Sequence, residues 1–551
     1  MAEEAQPETD VDQPVIDNDQ YANVDPEVMF HIMAAERLLS VGDYPGAVEQ
    51  YLDAALLSKD PDRARQASRL AAQLGEWESV LIGTERWLEV APGDEDAGQI
   101  RLLAWLNTGE TERALDALLD LIARHEDEQE GWRRAAMLLS AAESDDLAVG
   151  VMSKLIEQSG EDASDPDILR IQSVLLWQFG DAEWALELAL EAVDRSEERK
   201  YRVWAAQLAA GAENLNLALE LYRSARIAEP DYVPLALAEA EVLRQLDRTD
   251  DAIRLLREMP ADGEVLYTLG IYLARDGRTE KAEAVLQQLT AINGEEDPAH
   301  HAFLVAQLAG LLEHDRLALD WYEKIESGPN KNRALMRRAA LLGQGGDLVK
   351  ARELLDSVRL TDDQALREES WLVEAELLRE AGRADEAVKL LTGPLRESPN
   401  NLRLLYARGL NAVYADDLDL AEQDLRRIIQ IDGDNAMALN ALGYTLTDRT
   451  DRHQEAYRLI RRALELDPDD PPTLDSMGWV YFRLGQPERA LPYLERALEA
   501  EENPEIAAHV IEVLWTLERF DEAVELRDRA IVEWPEDDYL ADTLKRLELD
   551  E

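Results

Sequence analysis

A small residue returns about every 34 positions along this chain, and no other feature restricts its fold as much. The marked positions are Ala47, Val80, Ala114, Ala148, Ala185, Ala218, Ala252, Ala282, Ala318, Ala351, Ala387, Ala421, Ala456, Ala490 and Ala523, separated by 30 to 37 residues. Twelve residues before most of them stands a second small residue, as at Ala35, Ser68, Ala206, Ala306, Ala375, Gly409 and Gly478. Two small residues per period mean two helices per period. The helices cross so closely that only Gly, Ala or Ser fits at the crossing. A chain built this way works through its surface, not through an enclosed catalytic pocket.

Charge narrows the partners. The chain carries 57 Lys+Arg against 116 Asp+Glu, a formal charge of −59, and only nine of the basic residues are lysine. Nucleic acid and anionic membrane surfaces need a cationic face and are repelled. An acidic, lysine-poor surface also suits high salt. The absence of cysteine excludes disulfides, thiolate metal sites and cysteine nucleophiles. No run of 18 apolar residues appears, so no membrane-spanning helix is expected. The opening MAEEAQPETDVDQPVIDNDQ has no basic start and no apolar core. It does not read as a signal peptide; it is what would remain after one was removed.

Residues 1–25 read as a disordered acidic leader or tether. The helical pattern begins after Asp25–Pro26, a cap followed by proline at the first helical position. Residues 26–535 then divide into about fifteen helix–turn–helix units, with turns such as SVGDYPGA (40–47), REAGRADEA (379–387) and RLGQPERA (483–490). Second helices often end in proline, as at Pro92, Pro230, Pro399, Pro468 and Pro535. Departures from the period fall at 157–167, 259–260, 292–298 and 360–364, where kinks or changes of pitch are expected. Residues 536–551 read as a final capping helix with Tyr539, Leu540, Leu544 and Leu547 on one face.

Three segments carry a family resemblance. DSMGWVYFRLGQPERALPYLERALE (475–499) places Gly478, Tyr481, Ala490, Tyr493 and Ala497 at the spacing of the tetratricopeptide repeat (TPR) family. NALGYTLTDRTDRHQEAYRLIRRALELDP (440–468) does so with one extra turn residue, and 371–399 adds Trp371, Ala375, Ala387 and Pro399. The resemblance implies an all-α, right-handed superhelix that binds protein partners and carries out no catalysis. Within the family, NALGYTLTDR and LDSMGWVYFRLG look like Gram-negative outer-membrane TPR lipoproteins. One group of these acts as adaptor for a periplasmic carboxyl-terminal processing protease and delivers cell-wall hydrolases to it. That resemblance implies the periplasmic face of the outer membrane and a lipid anchor that this sequence does not carry; otherwise the chain would be cytoplasmic. The alternative is a structural component of an envelope assembly, such as a secretion, pilus or polysaccharide-export complex.

No phosphate loop, dinucleotide fingerprint, HExxH or GxSxG is present, so no catalytic, cofactor or metal residue is named. His125–Glu126 lacks a second zinc ligand, and His300, His301 and His314 read as solvated surface histidines. Acidic runs such as 93–96 and 467–470 lack calcium-loop spacing. The family's first helices line the groove through positions two, five, nine and twelve. Applied here, that rule gives Trp177, Tyr267, Tyr406, Tyr444, Trp479, Phe482 and Trp515 as partner-binding candidates, with packing between repeats as their other reading. Trp132, Trp371 and Tyr481 fall at packing positions. Lysine is scarce in first helices and Asn440 is one place from the family's asparagine, so a clamp for acidic tails is not expected. Phe30 and Met33, on the leading helix of an end repeat with no neighbour, are candidates for a second docking surface.

Overall fold

Aspartates placed just ahead of the first turn start many of the helices. Asp25, Asp43, Asp60, Asp94, Asp181 and Asp470 each accept a hydrogen bond from a backbone N–H in the first turn of the helix that follows. Each such cap satisfies a donor that has no partner inside the helix and contributes about 1 kcal/mol. Part of the chain's acidity is therefore helix-starting chemistry. The computed structural model describes residues 25–125, 128–160, 163–292 and 297–549. Among these it has 31 helices, fifteen antiparallel pairs from Pro26–Ser40 with Tyr44–Leu57 to Pro504–Thr516 with Phe520–Glu533, followed by Asp538–Arg546. The expected leader lies almost wholly outside the described residues, as do parts of two irregular stretches, 161–162 and 293–296.

The alanine beat is the crossing point of each pair. All fifteen beat residues, Val80 included, are fully buried. At Gly478 a Cβ would stand 2.5 Å from Leu494 Cγ and 3.1 Å from the carbonyl oxygen of Ala490, the beat residue itself. Within each compact unit, first helices pack on their own second helices, and in many repeats also on the first helix of the next, as Pro471–Arg483 does on Ala436–Arg449 and Pro504–Thr516. The chain divides into two compact units, 1–272 and 273–551. Leucine- and alanine-rich cores run through the first unit, and one continuous core runs from Ala375 to Leu549 in the second.

The irregular gaps have local causes. The second helix Thr249–Glu258 is short and stops before Pro260. The gap at 360–364 is taken up by an extra turn at the start of Gln364–Glu380, which is 17 residues long. Turns between paired helices need one residue in the left-handed region. Gly42 and Gly485 supply it in their units, but Glu213, Asp247, Glu313, Asp416 and Glu518 hold it elsewhere, at φ near +60°. A side chain there costs about 1 kcal/mol. Glu518→Gly should therefore raise the stability of the second unit by roughly 0.5–1 kcal/mol, read as a higher urea midpoint; a lower midpoint would show that the Glu518 side chain contributes more than its backbone strain costs.

The last helix, Asp538–Arg546, packs on the core of the second unit. Leu540 and Leu544 are buried, and Tyr539 and Leu547 pack against the same core. Arg546 donates to both oxygens of Glu512 at 2.5 and 2.7 Å, tying this helix to the last repeat.

Candidate functional site

The first helices of the last three repeats, Ala436–Arg449, Pro471–Arg483 and Pro504–Thr516, gather three of the seven aromatic candidates around a buried histidine. His509 is 1% exposed. Its Nδ1 lies 2.8 Å from Asp475 Oδ1 and its Nε2 2.9 Å from the Tyr539 hydroxyl. Trp479 stacks on the His509 ring with centroids 4.0 Å apart, and on Phe482 at 5.1 Å. The Tyr444 hydroxyl donates to Glu505, joining first helices two repeats apart. His509 lies 34 residues after Asp475, so these two neighbours in space are one period apart in sequence.

Burial alone would push the His509 imidazole down. The Asp475 carboxylate, with Glu505 and Glu512 beyond it, more than offsets this and holds it above the usual value of 6.5. A raised histidine stabilises the fold fully below its unfolded value and loses that contribution as pH rises through the folded one. The stability advantage of the natural chain over His509→Gln should therefore be larger at pH 6 than at pH 9, measured by urea unfolding; an advantage that grows towards pH 9 would mean that the ring is held neutral. Burial likewise raises the hydroxyls of Tyr444 and Tyr539, aided by Glu505. At neutral pH both stay protonated, Tyr444 donating to Glu505 and Tyr539 accepting from the charged His509 ring.

The seven candidates fare differently. Trp479 is 4% exposed, so it belongs to the packed interior and offers a partner only one edge. Its indole Nε1–H has no acceptor among the described residues. Tyr444 and Phe482 are half-buried beside it. Trp515 packs edge to face on Phe520 across its own turn, at 4.6 Å. Trp177 is half-buried with its ring edge over Gly211, where a Cβ would come within 2.6 Å of Cη2. Tyr267 is half-buried in Gly263–Arg275, and Tyr406 is half-buried against the core of the second unit. Trp132 and Tyr481 are buried at their packing positions, while Trp371 is half-buried beneath the Arg359 guanidinium, 3.5 Å from its ring. Phe30 and Met33 are 65% and 66% exposed.

One histidine reading needs correction. His301 is buried, edge-on to Trp321 at 5.8 Å, because its helix Pro298–Leu311 is apolar on nearly every face. The sequence reading also passed over His509, Asp475, Glu505 and Tyr539. A histidine inside the apolar run EIAAHVIEVLW, one period after an aspartate, was the available signal. His125–Glu126 falls partly outside the described residues. Among the described residues no three His, Asp or Glu side chains converge as a metal site. The arrangement offers a partner the half-buried aromatic faces of Tyr444 and Phe482, with the hydrogen bonds of Glu505 and His509 behind them.

Tetratricopeptide repeat models match residues 237–301, 434–503 and 476–538. TPR repeat-containing protein PA4667 of Pseudomonas aeruginosa is 30% identical over 498 residues, covering 89% of this chain and 83% of that protein. The chain belongs to the tetratricopeptide repeat family. Among solved structures, the Cut9–Hcn1 hetero-tetramer of the APC/C is similar over 82% of this chain and 96% of its own, at 15% identity and a TM-score of 0.31. TTC0263, a thermophilic TPR protein of Thermus thermophilus, is similar over 33% of this chain and 97% of its own, at 24% identity and a TM-score of 0.30. TPR repeats of this kind form protein-interaction scaffolds. No described helix is long and apolar enough to cross a membrane.

Proposed function

We propose that this TPR protein is an adaptor that binds a periplasmic carboxyl-terminal processing protease and presents protein substrates, including cell-wall hydrolases, to it. Its mechanism is binding and raised local concentration, with no covalent step of its own. The observation that carries the recognition half of this reading is the aromatic cluster on neighbouring first helices, where Tyr444 and Phe482 are half-buried beside the packed Trp479 and so present ring surface to a partner. The protease half is supported by the resemblance of NALGYTLTDR and LDSMGWVYFRLG to the adaptor group. The envelope location and a lipid anchor follow from the same resemblance.

Affinity capture with the full chain from envelope extracts tests the reading. Recovery of a processing protease together with its substrates supports it. Recovery of a ring or channel component would instead assign the chain to a structural assembly. Phe482→Ala, at a half-buried position, should weaken substrate capture several-fold while circular dichroism shows that the fold persists.

A further inference from the structure

The second helices carry a different kind of surface at the end of the chain. In the two repeats before it, the facing second helices Leu418–Ile431 and His453–Leu466 are laced by ion pairs. Arg452 reaches Glu422 at 2.7 Å and Glu455 at 2.7 Å, and Arg426 reaches Glu422 at 2.7 Å and Glu455 at 2.5 Å. Between Pro487–Ala500 and Phe520–Glu533 no such lacing is found among the described residues. Glu495 and Glu499 line one wall of a groove, Asp521 and Glu525 the other, and Arg529 is the one basic residue lining it. Glu522 and Asp528 also line it but are paired with Arg519 and Arg527 of their own segment. The floor is apolar, formed by the half-buried Leu498, Val524 and Trp534 over the buried Val510 and Leu514 of the intervening first helix. Val532 stands at the rim, 80% exposed.

Like charges facing each other across an apolar floor repel and leave that floor open to water. A partner that lays apolar side chains on the floor and cations along both walls removes both costs at once. We propose that this groove docks a cationic amphipathic helix of another protein. The walls are 14-residue helices, matching about four turns, roughly 20 Å, of such a helix. A second copy of this chain is a poor occupant, because two bodies of formal charge −59 repel. The surface is built from second helices, so it is separate from the Tyr444–Trp479–Phe482 site and does not rest on the adaptor reading.

The probe is an amidated, fluorescein-labelled helical peptide of about 14 Leu and Lys residues with its leucines on one face. Binding to the full chain is read by anisotropy at about 150 mM salt. The segregated peptide should bind at least about tenfold tighter than a scrambled peptide of the same composition. Glu499→Lys with Glu525→Lys should lower its affinity about tenfold or more, whereas Glu78→Lys with Glu220→Lys, an equal charge change elsewhere, should change it less than about twofold. Val532→Ser should weaken binding about threefold without altering charge; this variant carries the test if circular dichroism shows the double reversal misfolded. Equal binding of the scrambled peptide, or an equal loss in the Glu78/Glu220 variant, would reduce the effect to bulk charge and overturn the proposal. So would displacement of the peptide by micromolar Ca²⁺ or Mg²⁺, which would make the groove a cation site.

Discussion

Trp479→Ala is expected to destabilise the second unit by about 3–5 kcal/mol, the cost of emptying a buried indole site. The indole is held between the His509 and Phe482 rings, and its helix packs on the first helices to either side. Its loss should loosen the last three repeats and the closing helix together, because His509 also holds Tyr539. Hydrogen exchange should rise across residues 436–546, while the first unit keeps its protection. Phe482→Ala, at a half-buried site, should cost less than half as much. If Trp479→Ala leaves the urea midpoint unchanged, the indole is a surface group and the packing described for this cluster is wrong.

Glu374→Leu should cost about 2–3 kcal/mol, through electrostatics and not volume. Glu374 is buried and forms ion pairs with Arg359 at 2.5 Å and Arg352 at 2.6 Å. Arg352 is partly exposed and can turn to Glu386 or to water. Arg359 cannot, being fixed against the Trp371 ring and donating to Ser370 Oγ and its carbonyl oxygen at 3.1 Å. Removing the carboxylate leaves this buried guanidinium with the largely exposed Asp356, at 2.7 Å, as its remaining anion. Adding Arg359→Met to Glu374→Leu should recover most of the loss, since apolar replacement of a whole buried pair is often neutral or stabilising. A double variant as weak as the single one would mean that the loss comes from packing.

Much of this architecture was legible because its cause is local and periodic. A small residue at Ala490 and another at Gly478 already state that two helices meet there, and the pairs lie where the beat puts them. Aspartates ahead of helices, with Pro26 or Pro471 at the first turn, mark the starts. The turns were less legible where Glu213, Glu313 or Glu518 holds the left-handed residue that glycine usually marks. The site was legible as a set of residues but not as an arrangement. Whether Trp479 faces a partner or a neighbour depends on how closely successive first helices approach. That spacing is set by contacts 34 and 61 residues apart, His509 with Asp475 and Tyr444 with Glu505. No motif spacing reports these, because each partner comes from a different repeat and satisfies the other only after stacking.

A photoreactive phenylalanine analogue at Phe482 in the full chain, illuminated in cells, tests most directly whether other proteins are held on the first-helix face, with the same group at the exposed Leu360 as reference. Discrete cross-linked polypeptides are expected from position 482, and none of the same size from position 360. Identical products from both positions, or none from 482 while the chain remains folded, would contradict binding at that face.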